Sequence, residues 1–257
     1  MNKLMPAIFI GHGSPINALE KNEYHLTWQK IGREIPKPRA ILSISAHWQT
    51  KQVSLTGAKK PETIHDFWGF PQALFQIQYP APGSDWLVGQ VLKSIENVYV
   101  DTRWGLDHGT WSVLHPMFPG ADIAVVQLSL ARTLTPSGHF ALGKLLGTLR
   151  QEGVLLLGSG NMVHNLSMAV FQEVAFDWAL DYDACLRRWI LERNTEKLIN
   201  FEKNGPAAKM SINSAEHYLP LLYILGASQP GEAVKFYCEK VTLGSVSMRC
   251  VQFGGTD

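Results

Sequence analysis

Three short apolar runs, each leading into a turn that contains a histidine, limit the fold of this chain more than any other feature. The runs end in FIGHG, SISAHW and LLLGSGNMVH, and they alternate with amphipathic stretches of helical length. This alternation predicts an α/β protein rather than an all-helical or all-strand one. Because ligands in open α/β sheets bind beyond the carboxyl ends of the strands, we expect His12, His47 and His164 to converge at one edge.

Apolar periodicity and the positions of Gly and Pro predict the elements in more detail. Strands are expected at 7–10, 40–46, 53–55, 98–101, 124–130, 154–157 and 234–237, with closing strands or a hairpin within 241–253. The second strand should end at His47. Helices are expected at 22–33, 71–77, 84–95, 109–117, 136–152 (capped by Gly153), 171–200 and 216–225. Since no repeat or linker interrupts this pattern, we expect one domain, residues 1–257.

The balance of charge gives no sign of an anionic partner. Lys plus Arg number 23 and Asp plus Glu number 22, so neither nucleic acid nor a membrane surface is expected as partner. We find no pattern typical of a signal peptide, and no apolar run approaches the ~20 residues of a membrane helix. The three cysteines are odd in number and far apart, which favours buried thiols in a reducing compartment and a cytoplasmic location.

The nine histidines are the candidate functional residues, because most of them stand beside Gly, Pro, Asn or Trp at the ends of apolar runs. His12, between two glycines, could be a metal ligand or a turn residue that makes one hydrogen bond. His47 follows a strand too apolar to face solvent, and it could be a ligand or a buried histidine bonded to a backbone carbonyl. Five histidines in such settings together favour a site for a first-row divalent metal.

Three further positions leave the role of the histidine open. His108 could contact a substrate oxygen or pass a proton, while the preceding Asp107 could cap a helix. His164 follows a GSGN turn that lacks the residues of a phosphate-binding loop, and its imidazole could be a ligand or a general base. His217 opens the last predicted helix and could be a core histidine, with Glu216 complementing the helix N-terminus.

The remaining histidines and the missing motifs narrow the choice of chemistry. His65 lies in an aromatic loop and could line a substrate pocket, whereas surface or structural roles are favoured for His25, His115 and His139. The chain contains no HExxH sequence, which argues against a helix-based zinc protease. It also contains no Gly-x-Ser-x-Gly sequence, which argues against a serine hydrolase.

Longer segments of the chain carry a family resemblance. In chain order they are GHGSPINALE, SAHW, TIHDFWGFPQALFQIQYPAPG, WGLDHGTWSVLHPMFP, ADIAVVQLSL, GSGNMVHNL and EHYLPLLYILGA. Together they resemble the class III extradiol ring-cleaving dioxygenases and, within them, the bacterial branch of the DOPA 4,5-dioxygenase group. The resemblance extends from residue 7 to about residue 250, with the motifs in the family's order.

The resemblance implies a single α/β domain with a central mixed β-sheet flanked by helices, and a mononuclear Fe(II) site that Zn(II) can also occupy. It implies that His12, His47 and His217 are metal ligands. It also implies an acid/base role for His164, which in some members counts as a ligand, and a substrate- or oxygen-contacting role for His108. The implied partners are a small catechol and O2. The sequence itself is compatible with a monomer and with a small homo-oligomer.

Two departures from the family pattern bear on these expectations. Many non-haem iron oxygenases use two histidines and one carboxylate, so the third ligand could be His217 or Glu216. The loop after GSG reads HNLS from His164, where the plant members that form betalain pigments carry a His-Pro-Ser sequence. This difference argues against efficient activity on L-DOPA itself and leaves a DOPA-like catechol as the expected substrate.

The expected chemistry begins with a metal that binds both catechol oxygens and leaves a position open for O2. His164 would take a proton from the substrate, and His164 or His108 would return one. Two alternatives use the same histidines, namely a zinc-dependent hydrolase and a non-catalytic metal- or ligand-binding protein. Four aromatic residues of the loop at 59–83 could form the ring pocket or belong to the core: Phe67, Trp68, Phe70 and Tyr79.

Overall fold

The computed structural model describes residues 4–172 and 174–255 and has a mixed β-sheet at its centre. Its strands are β1 (Ala7–Gly11), β2 (Ala40–Thr50), β3 (Ser54–Thr56), β4 (Tyr99–Asp101), β5 (Ala124–Ala131), β6 (Val154–Gly160), β7 (Val234–Tyr237), β8 (Val241–Thr242), β9 (Val246–Ser247) and β10 (Cys250–Phe253). Eight of them form one sheet in the order β4-β3-β5-β2-β6-β1-β10-β7, and β8 pairs with β9 in a separate hairpin.

The four central strands β5, β2, β6 and β1 run parallel to one another. β3 is antiparallel to β5 on one side, and β10 is antiparallel to both β1 and β7 on the other. Parallel strands joined by helical crossovers place their carboxyl ends at one edge of the sheet. The predicted α/β architecture with a mixed central sheet is therefore confirmed.

Helices cover both faces of this sheet. They are α1 (Glu23–Glu34), α2 (Gln72–Phe75), α3 (Asp85–Ser94), α4 (His108–Met117), α5 (Pro136–Leu146), α6 (Asp177–Leu191), α7 (Thr195–Ile199), α8 (Pro206–Ser211) and α9 (Leu219–Ala227). Neighbouring residues of β1 point to opposite sides, as the pleat of a strand requires. Ile8 and Ile10 join the apolar cluster that contains residues of α1 and α4, whereas Phe9 joins the cluster that contains residues of α5 and α9.

β2 departs from its predicted bounds, because it continues through His47 to Thr50 instead of ending there. Its pairing with β5 shifts register between Ile44 and Gln49. A bulge of this kind re-aims side chains that a regular strand would hold in strict alternation. The expectation that His47 lies beyond a strand end is therefore wrong, since the side chain leaves the strand at an irregular segment.

The long helix predicted over 171–200 is wrong in part. Helical structure begins only at Asp177, because Ala175 forms a β-bridge with Gly244 and so keeps the preceding chain extended. The helix also breaks before 200, where Arg193 has a left-handed φ of 53° and the Asn194 side chain caps α7. Pairing with a distant loop and local capping thus override the helical periodicity.

Two other predicted helices need smaller corrections. α5 ends at Leu146 and the chain tightens into a 3-10 turn over Gly147–Glu152, after which Gly153 provides the predicted left-handed cap at φ 82°. α9 begins at Leu219, so Glu216 and His217 lie in the turn before the helix and not in its first turn. The other predicted helices, and the strands before 241, lie within three residues of the observed bounds, β2 excepted.

Within 4–172 and 174–255 no helix has the length and apolar character needed to cross a bilayer.

Candidate metal centre

The carboxyl-end edge of the parallel strands brings three of the predicted histidines together. β1 and β6 pair with Gly11 opposite Gly160, and the backbone N–H of His12 donates to Gly160 O at 2.9 Å. His164 follows shortly after β6, and His47 lies in the irregular end of β2, the other neighbour of β6. The side chains thus come from adjacent strands of one sheet.

The turn before α9 brings His217 to the same edge. The backbone N–H of Asn161 donates to His217 O at 2.9 Å. A Cβ added to Gly160 would lie 2.0 Å from that same carbonyl oxygen, so only glycine allows this close approach. The glycine at the end of β6 therefore fixes the turn that presents His217.

Three of these rings form a nearly equilateral triangle. The ring centroids are 5.1 Å apart for His12 and His47, 5.3 Å for His12 and His217, and 5.1 Å for His47 and His217. Three imidazoles at such mutual distances can direct one nitrogen each at a common point. The structure thus brings together the three residues that the family resemblance assigns as metal ligands.

Donor atoms at this edge divide into two sets, and within each set they lie within 4.8 Å of one another. The first histidine group consists of His12, His47 and His108, and the second histidine group consists of His164, His217 and the carboxylate of Glu216. The His108 ring lies 3.8 Å from that of His47, between centroids. His164 stacks on His217 at 3.6 Å with the rings 10° from parallel.

Ser159, on β6, fixes the tautomer of His12. The Ser159 hydroxyl donates to the carbonyl of Gly109, so its oxygen must accept from His12 Nδ1 at 2.9 Å. Nδ1 of His12 therefore carries the proton and Nε2 presents a lone pair. The Nε2 of His47 is only 3.2 Å away, and two facing imidazole nitrogens at this distance are stabilised when a cation lies between them.

Asp66 lies beside two of the histidines and is a site residue that the sequence reasoning missed. Its Oδ1 accepts from the backbone N–H of His108 at 2.9 Å and lies 3.0 Å from His108 Nδ1. Its Oδ2 lies 3.6 Å from His47 Nδ1. Burial alone would raise the pKa of Asp66, but the hydrogen bonds and charge of His108 hold it below its ordinary value. A carboxylate in this position orients the imidazoles and increases their basicity.

Glu216 holds His217 in a similar way. Glu216 Oε1 accepts from the Ser214 hydroxyl at 2.7 Å and lies 3.2 Å from His217 Nδ1. The outward nitrogen of His217 is thus engaged by a carboxylate, as is common for histidines that bind metals.

Burial keeps four of the five imidazoles neutral. Desolvation is the main cause that lowers the pKa of each, and neighbouring histidines lower it further for His12, His47 and His217. The pKa of His47 falls to about 3 and that of His164 to about 4. Neutral imidazole is the form that binds a metal, so the electrostatics favour occupation by a cation.

A buried hydrogen-bond network around Asp107 packs against the first histidine group. Asp107 caps α4 by accepting from Thr110 N–H, accepts from the Ser45 hydroxyl at 2.6 Å, and is bonded by the Gln127 amide. Complete burial raises the pKa of Asp107 to about 6. The helix-capping role predicted for Asp107 is therefore confirmed. A Cβ added to Gly109 would lie 2.9 Å from His47 Cδ2, which explains why glycine follows His108.

The histidines of the aromatic loop and the core lie outside both groups. His65 Nε2 lies 3.0 Å from Ile77 O, and its ring contacts Phe67, so the structure places His65 among the loop aromatics and not in the cavity wall. His139 Nδ1 lies 3.0 Å from the Tyr223 hydroxyl in the core.

The five histidines of the two groups line a cavity of about 450 Å³ with mainly apolar walls. Phe67, Trp68 and Phe70 line it, as one of the two sequence-based interpretations proposed. Tyr79 follows the other interpretation, since it is buried and donates its hydroxyl to Phe118 O at 3.1 Å.

The residues at this edge fit a divalent first-row metal. Imidazole nitrogens are donors that iron and zinc both accept. Each of the three rings of the triangle has its Nδ1 beside a hydroxyl or carboxylate oxygen. The distances are 2.9 Å for His12, 3.6 Å for His47 and 3.2 Å for His217. The arrangement therefore offers three neutral nitrogen ligands at the floor of a cavity that a small aromatic ring can enter.

Comparison with known proteins agrees with this geometry. Residues 6–250 match the family model described as the catalytic LigB subunit of aromatic ring-opening dioxygenase. Over 97% of its length the chain is 42% identical to 95% of the 4,5-DOPA dioxygenase extradiol of Escherichia coli (strain K12). It is 37% identical to the protein of the same name from Beta vulgaris, with 88% of each chain covered.

A solved structure extends the agreement to the fold. The crystal structure of an uncharacterized protein from Escherichia coli K12 matches this one with a TM-score of 0.85 at 37% identity, over 97% of this chain and 100% of that one. The chain therefore belongs to the LigB family of aromatic ring-opening dioxygenases, and it is an extradiol enzyme that uses a non-haem metal to open a small aromatic substrate with O2.

Proposed function

We propose that this enzyme opens a DOPA-like catechol by 4,5-extradiol cleavage at a single Fe(II) ion. The observation that carries the proposal is the triangle of His12, His47 and His217, with ring centroids 5.1–5.3 Å apart at the floor of an apolar cavity. The substrate class is supported by relatives from a bacterium and a plant that bear the name 4,5-DOPA dioxygenase extradiol.

In this proposal His12, His47 and His217 are the metal ligands. Each has its Nδ1 next to a polar partner, which leaves Nε2 for the ion. Glu216 then serves as the partner that orients His217, since its Oε1 is already shared between Ser214 and that ring. When bound, Fe(II) would supply Lewis acidity toward both catechol oxygens. It would also supply a redox route to O2, and this route is what zinc lacks.

His164 is the proposed general base. Its ring is neutral because burial lowers its pKa to about 4, and within the described chain no hydrogen bond engages the ring nitrogens. It stacks on His217, so it borders the position that the catechol hydroxyls would occupy. An anionic catechol oxygen beside the ring favours the protonated imidazole, which lets a ring of low pKa accept the hydroxyl proton.

His108 is the proposed partner of the reacting oxygen. Asp66 Oδ1 accepts from its backbone N–H and lies 3.0 Å from its ring Nδ1, and the ring lies 3.8 Å from that of His47. Proton return from His164 or His108 assists the later steps. Overall, both atoms of O2 enter the product, the ring C–C bond beside the diol breaks, and an aldehyde and a carboxylate form.

We also propose that residues 1–257 act as one catalytic domain, in the cytoplasm, as a monomer or a small homo-oligomer. The single domain is supported by the pairing of β10 with β1, which joins the two ends of the chain in one sheet. The location is supported by Cys185, Cys238 and Cys250, which are all free thiols, as expected in a reducing compartment.

Oxygen uptake by protein reconstituted anaerobically with Fe(II) tests the proposal. The panel contains L-DOPA, caffeate, protocatechuate and 4-alkylcatechols, and the product is followed by its visible absorbance. We expect one O2 consumed for each catechol opened, and no turnover by the same protein loaded with Zn(II). Turnover of an ester or amide by zinc-loaded protein without O2 would contradict the proposal and favour a hydrolase.

A further inference from the structure

Two of the three cysteines lie beside each other near the end of the chain. Cys238 directly follows β7, and Cys250 begins β10, the strand that pairs with β7 in antiparallel register. Tyr237, the last residue of β7, is the partner of Cys250 in this register. The side chains of Cys238 and Cys250 are in hydrogen-bond contact. Two thiols that belong to neighbouring strands are therefore also neighbours in space.

The backbone at Cys238 allows this contact. Successive side chains of a strand point to opposite faces, so a regular continuation of β7 would direct Cys238 away from the face that carries Cys250 and Tyr237. Cys238 instead has a left-handed φ of 50°, which ends the strand and its alternation. This conformation is costly for a side chain such as that of cysteine, and residues held in it cluster at functional sites.

The two thiols differ in exposure and in acidity. Cys238 is partly exposed, and its pKa lies below the ordinary value chiefly because the Cys250 thiol is its hydrogen-bond partner. The Thr27 side chain and the charge of Lys240 lower it further. Cys250 is completely buried, and this burial raises its pKa well above the ordinary value. An accessible thiol of lowered pKa beside a second thiol is typical of redox-sensitive cysteine pairs.

Cys250 is also connected to the turn that carries His12. The backbone N–H of Gly11 donates to the Cys250 sulfur, and the Cys250 S–H has Met248 O within reach at 3.4 Å. A Cβ added to Gly11 would lie 2.7 Å from Met248 C, and one added to Gly13 would lie 2.4 Å from Met248 Sδ. Met248 therefore packs closely against both glycines that flank His12, and it also lines the cavity.

We propose that Cys238 and Cys250 form a reversible disulfide in response to a hydroperoxide, and that this bond weakens metal binding by displacing Met248. The inference goes beyond the proposed function, because the cysteine pair lies outside both histidine groups. A disulfide removes the S–H that donates to Met248 O and draws Cys250 toward Cys238. Disulfides in a reducing compartment are usually transient, which suits a regulatory bond.

The oxidation balances with a hydroperoxide as the oxidant. The Cys238 thiolate attacks one peroxide oxygen, the O–O bond breaks, and the other oxygen leaves with a proton as water or an alcohol. The Cys250 sulfur then attacks the sulfenic acid on Cys238, the S–O bond breaks, and the hydroxyl leaves as water with the Cys250 proton. The two thiols together lose two electrons and two protons, and the hydroperoxide gains them.

Treatment of reduced, metal-free, full-length protein with hydrogen peroxide tests the disulfide. Trypsin cleaves after Lys240, so Cys238 and Cys250 lie on separate peptides. We expect mass spectrometry to find these two peptides joined, with Cys185 still free, and dithiothreitol to remove the link. Cys238 that stays reduced, or that is oxidised without a link to Cys250, would overturn the proposal.

Single substitutions separate the roles of the two thiols. Cys238→Ser should leave Cys250 reduced after the same treatment, because burial keeps peroxide from its sulfur. Cys250→Ala should stop the reaction at a sulfenic acid on Cys238, which dimedone traps. The matched control is Cys185→Ser, which removes the third cysteine, on α6, and should leave the link intact. Oxidation of Cys250 in the Cys238→Ser protein would contradict this assignment.

Zinc titration of the reduced and the oxidised protein tests the effect on the metal site. We expect the oxidised protein to bind zinc at least ~10-fold more weakly, and reduction to restore the affinity. Cys238→Ser should bind zinc equally before and after peroxide, which would exclude damage to the histidines or to Met248 as the cause. Equal zinc affinity of the reduced and oxidised forms of the unaltered protein would overturn the effect on the metal site.

Discussion

The two histidine groups lie at the same edge of the sheet, but their rings are held differently. In the first histidine group, His12 Nδ1 is bonded to Ser159, and Asp66 lies beside both His47 and His108. In the second histidine group, Glu216 lies beside His217. The ring of His164, by contrast, makes no hydrogen bond with any residue in the described part of the chain and is positioned by stacking and by its backbone.

This difference indicates a division of tasks. A ring whose outward nitrogen has a fixed partner keeps one tautomer and one orientation, which suits a metal ligand. A ring without such a partner can gain and lose a proton without breaking an existing bond, which suits acid/base catalysis. We therefore propose that the three rings of the triangle bind the metal and that His164 transfers the proton. His108 also lies beside a carboxylate but stands outside the triangle, which is why we assign it to the reacting oxygen and not to the metal.

Removal of a ring from the triangle should have the largest effect. His12→Ala deletes a ligand whose tautomer is fixed by Ser159, so metal affinity should fall by more than ~100-fold and turnover should disappear. Metal content by mass spectrometry and O2 uptake measure the two effects. The matched control is His139→Gln, which changes a buried histidine outside both groups and should keep the metal. A His12→Ala protein that retains full metal content would contradict the account.

Removal of the unpartnered ring should reduce turnover alone. His164→Phe keeps a flat ring that can stack on His217 but cannot accept a proton. We expect kcat to fall by ~10²–10⁴, with metal content close to that of the unaltered protein. Steady-state kinetics and metal analysis on the same sample provide the measurement. Loss of metal in proportion to activity would instead make His164 a ligand.

Neutralising the carboxylate between two rings should have an intermediate effect. Asp66→Asn keeps the shape of the side chain but weakens its hold on His108 and His47, so metal affinity or kcat should fall by ~10–100-fold. Metal titration measures the loss of metal affinity, and O2 uptake by fully loaded protein measures the loss of kcat. Asp122→Asn serves as the control, because Asp122 is exposed and, among residues 4–172 and 174–255, forms its ion pair with Lys37. Equal behaviour of the two variants would remove Asp66 from the site.

The smallest expected effect is the pH dependence of stability caused by His139, a buried histidine outside both histidine groups. Burial lowers the pKa of His139 from 6.5 to about 4, so the unfolded state binds a proton that the folded state excludes. The stability that this group contributes is present above pH 6.5 and is lost as the pH falls from 6.5 towards 4. Between pH 7 and pH 5 the loss is at most about 2 kcal/mol in the free energy of unfolding.

Urea unfolding of metal-free protein checks this last point. His139→Gln should show a weaker fall in stability on acidification than the unaltered protein, because it lacks this titration. The histidines of the two groups are present in both proteins, so their effect on the pH dependence cancels in the comparison. Identical pH dependence of the two proteins would show that His139 is not held neutral by burial.

Local sequence signals were sufficient to predict the elements that present His12 and His164. β1 and β6 each begin with a continuous apolar run that is followed at once by glycine. The apolar run and the glycine that ends it are neighbours in sequence, so a short window is enough to predict both. His47 was predicted as a candidate but for a wrong local reason, since the bulge of β2 depends on pairing with β5 and cannot be read from β2 alone.

Asp66 was not predicted, because its role depends on contacts far apart in sequence. It stands 42 residues from His108, whose backbone it accepts from, and it lies in a loop whose regular structure is limited to short pieces. The neighbouring His65, for which the sequence suggests a place in a substrate pocket, is packed among aromatic side chains. The signal available in the sequence was a carboxylate inside an otherwise apolar aromatic segment, where an unpaired charge is costly.

The most direct test of the division of tasks is the position of the metal itself. Anomalous scattering from crystals loaded anaerobically with Fe(II) would locate the ion relative to both histidine groups. We expect one peak at about 2.0–2.2 Å from a ring nitrogen of each of His12, His47 and His217, with His164 farther away. A peak bound by His164 and Glu216 without His12 and His47 would contradict it.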